Sequence, residues 1–128
     1  MQSIPSGAWV VVADGGGARM LQNVGEAKAI KLIQQRLIEP QNLDGEGPSG
    51  SQPKEVDVEE ATFAKQLANR LNDGALKNDY RHLVLIADPQ TLGQVRPLLH
   101  KETLERLIGE MAKTLTNASI ADIERVLH

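Results

Sequence analysis

The chain has 128 residues, the length of one domain, and its 41% hydrophobic and 24% charged residues exclude wholesale disorder. A formal charge of -3 leaves no basic excess for phosphate binding by counterion release, and only Trp9, Phe63 and Tyr80 offer rings on which bases stack. The absence of cysteine excludes a disulfide framework and a cysteine-held zinc, and no apolar run approaches membrane-spanning length, so one cytoplasmic unit without a membrane partner is expected.

Residues 9–12, Trp-Val-Val-Val, are apolar and β-branched, which predicts a buried strand ending at Asp14. Gly15, Gly16 and Gly17 then predict a tight turn through positive φ, with the chain returning through Met20 and Leu21 as the second arm of a hairpin. The apolar residues of 29–38 fit neither strict alternation nor a clean helical stripe. A third strand closed by Pro40 is expected there because its neighbours already form a meander. Residues 41–55 are rich in glycine, proline and serine and predict a flexible surface loop.

Asp57, with Glu60 three residues on, has the spacing of a helix N-cap and its reciprocal partner. Ala61, Ala64, Leu67, Ala68 and Leu71, extended to Leu76, give that helix one apolar stripe, with Lys65, Gln66, Asn69 and Arg70 facing solvent. Residues 82–87 form a second continuous apolar run. A strand buried on both faces requires helices on either side of a sheet. Asp88 and Pro89 are suited to start a helix through Leu92 and Val95, which Pro97 ends or bends. Residues 104–115 score as a helix by spacing, but an alternating topology favours a strand over about 106–113. Ser119 and Asp122 cap a terminal helix whose stripe is Ile120, Ile123, Val126 and Leu127.

These words in this order resemble the bacterial host attachment protein family, proteins required for attachment to host cells. They are residues 9–14 leading to Ala18-Arg19, Phe63-Ala64, residues 83–87 with Leu92-Gly93 and Arg96, and Leu115-Thr116. That family is similar in turn to the middle domain of the archaeo-eukaryotic peptide-chain release factor. The resemblance implies a single α/β domain related to ribonuclease H, with a mixed, hairpin-led sheet of about five strands and flanking helices. It also implies a non-enzymatic binding or adaptor role, with an unknown protein, the ribosome or RNA as partner and no cofactor. The chain contains no Gly-Gly-Gln triplet, so peptide release does not carry over.

The sharpest catalytic alternative is a metal-dependent nuclease or hydrolase. In it Asp14, Glu60 (or Glu59) and Asp88 converge as catalytic and metal-ligating carboxylates and hold magnesium to activate water on a phosphodiester. Each has a plainer use, Asp14 in a glycine turn, Glu60 in a cap and Asp88 as another cap. For binding, Asp14, Gly16 and Arg19 are the candidates, since glycine amides and a guanidinium suit an anion. The spacing of a nucleotide loop is lacking, and a hairpin turn is the simpler use of the glycines. His82, His100 and His128 lie too far apart in sequence to imply a triad. Trp9 is either a partner anchor or core.

Overall fold

β1 (Trp9–Asp14) forms because every side chain from Val10 to Ala13 finds apolar neighbours on one face or the other and is fully buried. The computed structural model describes residues 4–39 and 56–127, without the side chains of 56–62, so the expected loop at 41–55 lies outside the described residues. A two-residue turn at Gly15-Gly16 returns the chain as β2 (Gly17–Asn23), antiparallel to β1 with Asp14 opposite Gly17. Contrary to expectation the glycines do not use positive φ, which among the described residues occurs only at Gly7 and Asn78. The Gly16 amide instead donates to Asp14 Oδ1 at 2.7 Å, and this side-chain bond closes the turn.

β3 (Leu32–Ile38) pairs antiparallel with β2 and starts three residues later than 29, because residues 24–31 are gathered into a turn by Asn23. Buried Asn23 donates from Nδ2 to the Ile4 carbonyl at 3.0 Å, and its Oδ1 accepts from the Gly25 and Lys31 amides, each at 2.9 Å. Gly25 is required there, since a Cβ would stand 2.4 Å from the Ala29 carbonyl oxygen.

α1 (Val56–Leu76) begins one residue before Asp57, and the side chains of the expected capping pair, Asp57 and Glu60, lie outside the described residues. Its packing face is Phe63, Ala64, Leu67, Ala68, Leu71 and Ala75, all buried, whereas Leu76 points to solvent at 64% exposure and does not extend the stripe. β4 (Leu83–Ala87) is buried throughout and lies parallel to β1, Trp9 opposite Leu83 and Ala13 opposite Ala87. Asp88 caps α2 (Pro89–Val95) by accepting the Thr91 amide at 3.1 Å, and Pro97 turns the chain into a 3₁₀ turn at Arg96–Leu98. An unexpected short helix, α3 (Lys101–Arg106), follows. β5 (Leu107–Ala112) then bears out the expected strand and pairs parallel to β4. α4 (Ile120–Leu127) is capped by Ser119 Oγ, which accepts the Asp122 amide at 3.0 Å. Its buried residues are Ile123 and Leu127, while Val126 lies on the outer side at 36% exposure.

The result is the expected single α/β domain, a five-stranded mixed sheet in the order β3-β2-β1-β4-β5. One core lies between the sheet and the α1 to α3 side, containing Val11, Met20, Phe63, Leu67, Leu71, Leu85 and Val95. The other lies under α4, containing Val10, Val12, Leu21, Val84, Ile86 and Ile123. Among the described residues no helix is long and apolar enough to cross a membrane.

Candidate functional site

Parallel neighbours end together, so the register of β1 and β4 puts Asp14 and Asp88 each one residue beyond the last pair, Ala13 and Ala87. The adjacency anticipated for two of the three carboxylates is present in the backbone. Glu60 lies in the first turns of α1 with its side chain outside the description. Among the described residues no group of three histidine or acidic side chains is placed to hold a metal ion. Asp14 is occupied on both oxygens, since Oδ1 accepts the Gly16 amide and Oδ2 accepts the Thr116 hydroxyl at 2.6 Å. Asp88 uses Oδ2 as a cap acceptor, while its Oδ1 is sealed from solvent with no hydrogen-bond donor among the described residues.

Arg19, opposite Val12 on β2, points to the α4 side of the sheet. Its Nη1 donates to the Thr116 and Ala118 carbonyls at 3.1 and 2.7 Å, and its Nε donates to Gln34 Oε1 at 2.8 Å. Of the three anticipated binding residues, Asp14 and Arg19 both hold the segment that leads from β5 into α4, and Gly16 supports them through its bond to Asp14. In this arrangement they clasp their own chain. Replacing Asp14 by alanine should therefore cost about 1–2 kcal/mol through the two lost hydrogen bonds, a modest sum because the site is partly solvated, read as a lower thermal midpoint.

A second site lies at the opposite end of β1, on the other face. A cleft of about 530 Å³ opens between the last turns of α1 and the β1 to β3 face, floored by Trp9 and Met20 and walled by Arg36, Arg70, Asp73 and Lys77. Trp9 is half-buried, and its ring lies 4.5 Å from that of Tyr80, tilted by 31°. Gly74 lets α1 approach so closely, for a Cβ there would be 3.0 Å from Tyr80 Cε1 and 3.5 Å from Trp9 Cη2. Asp73 and Lys77 form an exposed ion pair at 3.1 Å, but among the described residues neither Arg36 nor Arg70 has a hydrogen-bond or ion-pair partner.

Tyr80 fixes the floor. Its hydroxyl donates to the Leu71 carbonyl at 2.7 Å, and burial pushes its phenol from 10.0 up to about 12, against the opposing pull of Thr103 and Arg106. The unfolded phenol loses its proton near pH 10 and the folded one only near 12, so the folded chain binds the extra proton in that window. Stability should fall between those values by at most about 1.4 kcal/mol per pH unit. Denaturant unfolding at stepped alkaline pH should show this excess slope in wild type and lose it in Tyr80→Phe.

The cleft residues were not singled out by spacing. The available signal was Arg70, Gly74 and Lys77 recurring along one side of α1, a polar line interrupted by the glycine that marks close approach, facing Arg36 across the sheet row that contains Met20.

Compared with protein-family models, residues 7–127 match the one described as bacterial archaeo-eukaryotic release factor family 12. No curated protein matches the chain significantly. The family description carries the release-factor half of the resemblance and does not mention host attachment.

Proposed function

This chain belongs to bacterial archaeo-eukaryotic release factor family 12, and from that membership we propose that it is a non-enzymatic binding protein of the translation machinery, docking on ribosomal components or RNA. The observation that carries the reading is the extent of the family match, residues 7–127, which takes in every strand and helix of the domain. The chemistry of the better-formed site supports it, because a cleft with an aromatic floor and two guanidiniums unpaired among the described residues is built to hold a ligand. The compartment that goes with this role is the cytoplasm. An effect on attachment to host cells would then arise downstream of binding, without contact between this protein and a host surface. Centrifugation of the protein with bacterial ribosomes through a sucrose cushion tests the proposal. Co-sedimentation that falls with added salt and with ribonuclease is expected, and a protein left wholly in the supernatant at low salt overturns it.

A ribonuclease H-like, magnesium-dependent hydrolase through Asp14, Glu60 and Asp88 remains the second reading, favoured by one observation, the adjoining ends of β1 and β4. The hydrogen bonds already made by both Asp14 oxygens weigh against it. Nuclease assays with magnesium or manganese on wild type and Asp14→Asn decide it, and no metal-dependent cleavage by wild type removes it.

A further inference from the structure

We propose that the cleft between α1 and the β1 to β3 face binds a nucleoside phosphate, free or as one unit of an RNA strand, with the base against Trp9 and the phosphate on Arg36 and Arg70. The inference deepens the proposed role by naming its ligand, and rests on that role only where the ligand is a strand.

Aromatic side chains are scarce in this chain, one Trp, one Tyr and one Phe. Phe63 is fully buried in the core, whereas Trp9 and Tyr80 meet at the cleft, where Trp9 forms part of the lining. A flat π surface held rigid from beneath is what base stacking uses, and it tolerates every base. Tyr80 supplies that rigidity through its bond to the Leu71 carbonyl. The volume of about 530 Å³ falls within the range of small-ligand pockets.

Charge gives the ligand an orientation. Near Gly74 the cleft meets the C-terminal end of α1, whose carbonyls disfavour an anion. Asp79 lies at that end too, its amide bonded to the Gly74 carbonyl and its carboxylate free to accept from the amino or imino groups of a base. Arg36 stands in the row of Met20, two residues along the sheet and two strands across from Trp9, about 12 Å between backbones, a gap that the ribose of a nucleotide and the length of the arginine side chain span together. Arg36 and Arg70 therefore face the place a phosphate would occupy, and a planar guanidinium meets phosphate with two parallel hydrogen bonds. Although the whole chain is acidic, these two cations are not neutralised by any partner among the described residues.

Trp9 is the chain's one tryptophan and reports on its own site. The test is a fluorescence titration of the full chain at fixed ionic strength, excited at the red edge of tryptophan absorption, with AMP, UMP, adenosine, inorganic phosphate and short oligoadenylate and oligouridylate. Saturable quenching by the mononucleotides is expected, at least tenfold tighter than by adenosine or phosphate alone. It should weaken at least tenfold in Arg36→Gln/Arg70→Gln, whose thermal midpoint should match wild type because both side chains reach solvent. Tighter binding of the oligonucleotides assigns the site to a strand, and equal binding assigns it to a free nucleotide. No saturable quenching up to millimolar nucleotide, or an unchanged affinity in the double variant, overturns the proposal. Ribosome co-sedimentation that survives such a failure leaves the translation role standing without this cleft. Quenching without co-sedimentation does the reverse.

Discussion

Replacing Asn23 by leucine should cost about 3–5 kcal/mol of stability, because one buried amide serves four backbone groups, of which the Pro5 carbonyl also accepts the Ala8 amide at 3.1 Å. Its Nδ2 donates to the Ile4 and Pro5 carbonyls at 3.0 and 3.3 Å, and its Oδ1 accepts from Gly25 and Lys31. Leucine has the same branched shape and number of heavy atoms, and its bulkier methyl groups add some overpacking at this fully buried site. The larger part of the loss is the desolvation of donors and acceptors left without the amide. A domain of this size is stable by only about 5–15 kcal/mol, so the thermal midpoint should fall by on the order of 10 °C or more. Asn23→Asp is the informative companion. It keeps the two acceptor bonds and loses the two donor bonds, and should fall between wild type and leucine. A leucine variant as stable as wild type would mean that the turn at residues 24–31 is held by something other than Asn23.

Phe63→Ala should have a comparable effect, about 3–5 kcal/mol, for the opposite reason. Phe63 is fully buried where α1 lies over the sheet, among Val11, Leu67, Leu85 and Val95, and its removal leaves a cavity that rigid strands cannot collapse to fill. Denaturant unfolding followed by the emission of Trp9 would measure the loss. The native spectrum should also shift to longer wavelength, since α1 holds one wall of the cleft in which that indole sits. A large loss of stability with an unshifted spectrum would show that α1 is anchored at its cleft end independently of its centre.

The fold was legible wherever a segment had a single environment. Residues 83–87, apolar without interruption, specify a strand covered on both faces, and Asp88-Pro89 and Ser119 with Asp122 specify helix starts through local hydrogen bonds. β5 was legible only through topology. Its residues repeat like a helix because a sheet-edge strand with a bulge opposite Leu83 and Val84 does not alternate cleanly. The start of β3 was misplaced, since the decisive contact is made by Asn23, whose importance lies in which distant amides it reaches. The same limit hid the cleft. Arg70 resembles any solvent-facing helix residue until the sheet sets Arg36 across from it and Tyr80 slides beneath Trp9. Asp14, Gly16 and Arg19 were recognisable as a group, but what Asp14 and Arg19 hold, the Thr116 hydroxyl and the Thr116 and Ala118 carbonyls, lies about a hundred residues away.

Order of synthesis places a demand on this topology. β1 emerges early and acquires β2 at once on one flank, yet its other flank is reserved for β4, whose Leu83 aligns with Trp9. At typical elongation rates of about 5–20 residues per second, the nascent chain spends on the order of 4–15 s with this apolar strand open along one side. A hairpin in that condition is a template for unwanted pairing, so the yield of native protein should depend on translation speed and on chaperone supply more steeply than its final stability would suggest.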